Sequence, residues 1–133
     1  MSHTYESITE DIRVRVTPQF VEEDSAPDES RYFWAYTVEI SNEGSDTVQL
    51  RSRHWRITDG NGRTEEVRGP GVVGKTPVLK PGETFRYTSG CPLGTPSGIM
   101  VGAYQMTRSS GELFNVEIPA FSLDSPHTRR SLN

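Results

Sequence analysis

Apolar residues recur at every second position along most of this chain, the spacing of strands with one face buried. Ile12, Val14 and Val16 alternate with Arg13, Arg15 and Thr17, and Pro18, which has no N–H for a ladder, predicts an edge position or a bulge. From Tyr32 to Ile40 the even positions are Tyr, Trp, Tyr, Val and Ile, so the aromatic face of this strand is predicted to dominate the core. Val48 and Leu50 resume the alternation, and Trp55 and Ile57 continue it on the opposite parity. A parity change inside one run predicts a bulge, or a strand passing between sheets, around Arg51 to His54. Val67 ends the return strand, and Phe85 and Tyr87 start another. Gly98 to Met106 is apolar on both parities, the mark of a central strand. Phe114, Val116 and Ile118 alternate strictly and are followed by Pro119, Phe121 and Leu123.

Turn chemistry separates these runs. Asp59-Gly60-Asn61-Gly62 holds both dipeptides that favour tight hairpins, and Leu79-Lys80-Pro81-Gly82-Glu83 reads as a type II turn. Asn42-Glu43-Gly44-Ser45 and Ser109-Ser110-Gly111-Glu112 make two more. Cys91 to Ser97, with two prolines and a glycine, reads as a loop. Residues 22–30 carry five acids and no large apolar side chain, which predicts a mobile loop, and the tail at 125–133, with Arg129 and Arg130, reads as disordered. No run of ten or more residues has apolar positions at helical spacing. The expectation is one domain over 1–133 with an ordered core at about 8–124, folded as an all-β antiparallel sandwich of immunoglobulin or fibronectin type III character with seven to eight strands.

A length of 133 residues suits a single core, and a net charge of −4 gives no sign of a nucleic-acid binder. The charge is uneven: residues 48–90 carry +4 and the rest −8, an asymmetry that can steer an anionic partner. Cys91 is the only cysteine, so no internal disulfide or thiolate cluster forms, which fits a reducing compartment. No segment has the apolar run of a signal peptide or a membrane span, and the expected location is cytoplasmic.

Candidate chemistry is sparse. Gly69-Pro70-Gly71-Val72-Val73-Gly74 matches GxGxxG, and Gly69, Gly71 and Gly74 between Arg68 and Lys75 make a candidate anion loop. The pyrophosphate use of that motif needs a following helix, and here two strands are predicted to flank it. His3, His54 and His127 lie far apart, so no metal site is expected, although His54 can meet Asp59, Glu65 or Glu66 across the hairpin. Ser52 and His54 share a strand face without a third orienting group, and Cys91 has no base beside it, so no catalytic residue is assigned and no cofactor is expected. Binding remains. Arg53, His54, Trp55 and Arg56 near the bulge, with Val72 and Val73, are the candidate contacts for a protein partner, Trp55 being equally readable as core.

Several of these segments also carry a family resemblance. Arg31 to Tyr36, Ser52 to Asp59, Gly71 to Gly74, Leu79 to Gly90, Met100 to Tyr104 and Ile118 to Phe121 resemble the ApaG family of small bacterial proteins, over roughly residues 8–123. The resemblance implies a fibronectin type III-like sandwich and, through eukaryotic proteins that contain the domain, a protein-interaction module. It also implies a link to cobalt and magnesium efflux or resistance, and a gene often placed near a diadenosine tetraphosphate hydrolase. The function expected is thus a non-enzymatic interaction or regulatory module with an unidentified protein partner. The alternative is a sensor that holds a phosphate or nucleotide weakly at the Gly69–Gly74 loop.

Overall fold

The computed structural model describes residues 3–127, and nine strands form within them. They are β1 (Tyr5–Thr9), β2 (Ile12–Phe20), β3 (Tyr32–Asn42), β4 (Val48–Asp59), β5 (Thr64–Pro70), β6 (Val78–Leu79), β7 (Thr84–Leu93), β8 (Ser97–Arg108) and β9 (Leu113–Asp124). One sheet has the order β1-β2-β3-β7, the other β5-β4-β8-β9 with β6 also paired to β4, and all pairings are antiparallel. The two sheets face each other as a sandwich, and no helix among the described residues is long and apolar enough to cross a membrane.

The core is built by parity. Even positions of β2 and β3, from Ile12 to Val16 and Tyr32 to Ile40, face inward against Leu50, Trp55, Tyr104, Met106 and the inward residues of β9. The β4 register against β8 shifts between Leu50 and Ser52, the bulge that the parity change demanded. Past it the odd residues Arg53, Trp55 and Ile57 turn inward. A second shift, between Met100 and Gly102 on β8, accommodates the parity change of β9 between Ile118 and Phe121. Pro18 lies where β2 has run past β1, whose last partner on it is Val16, so its missing N–H faces no strand on that side.

Three segments carry structure that the alternation of apolar positions does not show. β1 was not predicted because its inward-side residues Ser7 and Thr9 are polar. The turn after it puts Glu10 and Asp11 at φ 46° and 67°, values more usual for glycine. Residues 22–30 form two 3-10 turns, Glu22–Asp24 and Pro27–Glu29, joined to β3 by Val21 N–H donating to Phe33 O at 2.9 Å and Phe33 N–H to Ser25 Oγ at 2.9 Å. Those bonds attach the two turns to the start of β3. Cys91 to Leu93 belongs to β7, because Cys91 and Leu93 keep the inward parity of Tyr87.

Of the expected tail, Ser125 is buried with its N–H on Pro96 O, and the His127 ring packs on Phe20 and Tyr32 beside Glu22. Residues 128–133, with Arg129 and Arg130, lie outside the described residues.

The two long sides of the sandwich are unequal. Along one, β1 and β9 are stitched together: Ser7 Oγ–H donates to Glu117 O at 2.9 Å, Glu117 N–H to Thr9 Oγ1 at 3.1 Å and Ser122 N–H to Tyr5 Oη at 3.4 Å. Along the other, the edge strands β5 and β7 face each other with no hydrogen bond between them among the described residues. This open side positions the site.

Candidate functional site: the open seam between β5 and β7

A cleft of about 610 Å³ lies along the open seam, floored by Trp55, Ile57 and Met100 and walled by Val67 on β5 and by Ser89, Cys91 and Leu93 on β7. A second hollow of about 350 Å³, toward Pro70, Val73 and Tyr87, shares Tyr36, Arg53, Trp55 and Ser89 with it. Common walls make the two hollows one groove, running from Thr64 and Leu93 at one end to Pro70 and Tyr87 at the other.

Arg53 sits at the junction. The β4 bulge gives it the inward parity of Trp55, and its Nη1 donates to Pro70 O and Gly71 O, both at 2.9 Å. The guanidinium lies over Gly69, where a Cβ would come within 3.1 Å of Nη1 and Nη2. Its partners are neutral: among the described residues no carboxylate comes within ion-pair distance of it. Facing it is a tyrosine cluster in which the Tyr87 and Tyr104 hydroxyls bond each other. Burial pushes the phenols of Tyr36, Tyr87 and Tyr104 up, and the Arg53 charge offsets only part of that.

The residues singled out from sequence are divided among three surroundings. Trp55 and Val72 are core residues, 2% and 1% exposed, and Val73 stands out at 52%. His54 and Arg56 lie on the outer face of the β4 sheet beside Val101 and Ala103. There His54 Nε2 pairs with Glu66 Oε1 at 2.7 Å, and the carboxyl of Glu66 is held low first by His54 and then by Arg68. Ser52 shares that face, and its hydroxyl donates to Gln105 instead of His54. Among the described residues no three His, Cys, Asp or Glu side chains are grouped so that they could hold a metal ion.

The glycine loop joins β5 to β6 without a helix. Gly71 N–H donates to Arg51 O at 2.8 Å, Val72 N–H to Lys75 O at 2.8 Å and Lys75 N–H to Val72 O at 2.9 Å. Three amides between Arg68 and Lys75 are therefore already engaged with backbone. The glycines serve geometry: Gly71 has φ +58° and Gly74 φ +78°. Tyr36 and Ser89 were missed as groove residues. Their inward parity was readable, whereas the opening beside them depends on which strands neighbour each other.

Cys91 lines the groove wall, and burial pushes its thiol up to about 11, with Glu65 adding to the shift. The folded protein holds this proton more tightly than the unfolded chain, whose thiol titrates near 9. The resulting stability is intact below pH 9 and is lost as pH rises toward 11. Replacing Cys91 with Ala removes that loss. The stability difference between wild type and Cys91→Ala, from urea unfolding at each pH, is expected to move against wild type across that window. A difference that stays constant there contradicts the assignment.

Comparison with known proteins fits this fold and chain length. The ApaG domain family matches residues 22–108. The chain belongs to the ApaG family. It is 67% identical to the protein ApaG of Methylobacterium radiotolerans and 63% identical to that of Methylocella silvestris, each over 97% of this chain and 99% of the relative. The crystal structure of an ApaA protein from Bordetella pertussis superposes with a TM-score of 0.86 at 54% identity, covering 89% of this chain and 96% of that one. None of these descriptions names a reaction, ligand or partner. The matched ApaG segment contains β3, β4, β5, β6, β7 and β8, and so both walls and the floor of the groove. The stitched strands β1 and β9 fall outside it.

Proposed function

We propose that this ApaG protein is a non-enzymatic docking module that receives an extended segment of another protein along the β5–β7 seam. The observation that carries the reading is the asymmetry of the two sides. One is closed by side chain to backbone bonds, while the other leaves two strand edges unpaired above a groove. Edge strands are commonly guarded by charge. β5 carries Glu65, Glu66 and Arg68, whereas Arg86 is the lone charged residue in the ten of β7. An edge this lightly charged, interrupted by Pro92 near its end, suits strand addition beside side-chain pockets, in which backbone bonds supply affinity and pockets supply selectivity. The cation tolerance implied by kinship would pass through the partner.

The test is selection of displayed random peptides on the full-length protein, followed by binding to two groove-filling variants. Ser89→Phe places a ring in the groove, and Glu65→Trp does so from an exposed position. Peptides that bind wild type and lose both variants are expected. No enriched peptide, or peptides indifferent to both variants, would end the proposal.

A further inference from the structure

Resting on that docking reading, we infer that the segment received is acidic: its carboxylate meets Arg53, and an apolar side chain two residues away fills the larger hollow. A guanidinium turned inward is ordinarily matched by a carboxylate, because a charge withdrawn from water is costly without one. Arg53 is half-buried and has two backbone carbonyls and a neutral tyrosine cluster as its surroundings. Only one nitrogen of its fork is engaged by those carbonyls. The acids that line the groove do not meet the need. Asp59 Oδ1 accepts the N–H groups of Asn61 and Arg63 in the hairpin turn, and Glu65 is exposed at the rim. A carboxylate brought by the partner would complete the fork with charge-assisted bonds.

Groove shape selects an extended chain over a compact ligand. The two hollows succeed one another along the seam and share Arg53 and Trp55, and the apolar floor residues Ile57 and Met100 belong to the larger. In an extended strand, side chains on one face recur every second residue, about 6.6–6.8 Å apart. A strand that added to β7 with Asp or Glu over Arg53 would therefore direct the residue two places away over Trp55 and Val67.

The experiment uses the peptides selected above. Their sequences are expected to share Asp or Glu two positions from a bulky apolar residue. A synthetic copy with the carboxylate changed to its amide is expected to bind wild type about tenfold more weakly, the scale of a charge-assisted hydrogen bond. The Arg53→Gln variant should bind acid and amide peptides alike. Changing the peptide leaves the protein intact, so the result stands even if loss of Arg53 loosens the Pro70–Gly71 turn. Peptides that are blocked by Ser89→Phe and Glu65→Trp yet carry no acid, or tolerate its amide, overturn this inference and leave the docking reading in place. Failure to select any peptide overturns both.

Discussion

Trp55→Ala is expected to lower the stability of this protein by about 3–5 kcal/mol, the usual cost of truncating a buried aromatic. The indole is 2% exposed and meets the Tyr36 ring at 5.4 Å and the Phe121 ring at 5.9 Å, both edge to face. Those rings come from β3 and β9, so Trp55 joins the two sheets across the core. Its removal leaves a hole that neighbours drawn from three strands cannot fill without moving backbone. A domain of this size has only about 5–15 kcal/mol of stability to lose. Urea unfolding measures the change directly. A surface contact residue would shift stability by no more than about 0.5 kcal/mol, so a loss that small would return Trp55 to the docking surface.

Trp55→Phe separates packing from polarity. The indole Nε1 is buried and has no hydrogen-bond partner, as is Nε1 of Trp34, and each ring has an edge-to-face neighbour. A buried donor without an acceptor costs free energy, softened only slightly by contact with an aromatic face. Phenylalanine keeps most of the ring contacts and discards that donor. Its cost is therefore expected to fall well below that of alanine. The indole of Trp55 is buried in the core, and Arg53, its neighbour with the same parity, lines the groove.

That pairing shows what the sequence made legible. The shift from Leu50 to Trp55 revealed the bulge, while the inward direction of Arg53 was read only from the structure. Inward direction does not say whether a residue meets core or opening. Strand order decides that: β5 and β7 are edges because β4 pairs with β8 and β3 pairs with β2, long-range choices that a local alternation does not encode. β1 escaped notice for the complementary reason. Its Ser7 and Thr9 face a seam closed by hydrogen bonds instead of apolar contact, so the inward positions lack the apolar signature. The GxGxxG match was legible as a loop between strands, and its amide engagement appears only when the Val72–Lys75 bridge is seen.

Gly102→Ala is the other large effect, with an expected cost of about 3 kcal/mol, the upper part of the usual range for overpacking. Gly102 lies on β8 between β4 and β9, beside the second bulge. A Cβ there would stand 2.6 Å from His54 O, 2.8 Å from Trp55 Cε3 and 3.1 Å from Ile118 Cδ1. The first of these atoms is backbone in the β4 ladder, so no rotamer change relieves it. Gly102 thus holds the space in which β4 brings Trp55 down onto the core. Because one of the three clashes is with Trp55, the two substitutions are coupled. The double variant Trp55→Ala, Gly102→Ala is expected to be less destabilised than the sum of the singles by at least about 0.5 kcal/mol, since alanine at 55 withdraws one obstacle while His54 O remains. Strict additivity would mean that the Gly102 clash is borne by backbone alone, and a Gly102→Ala variant within about 0.5 kcal/mol of wild type would mean that β4 and β8 are not packed this closely.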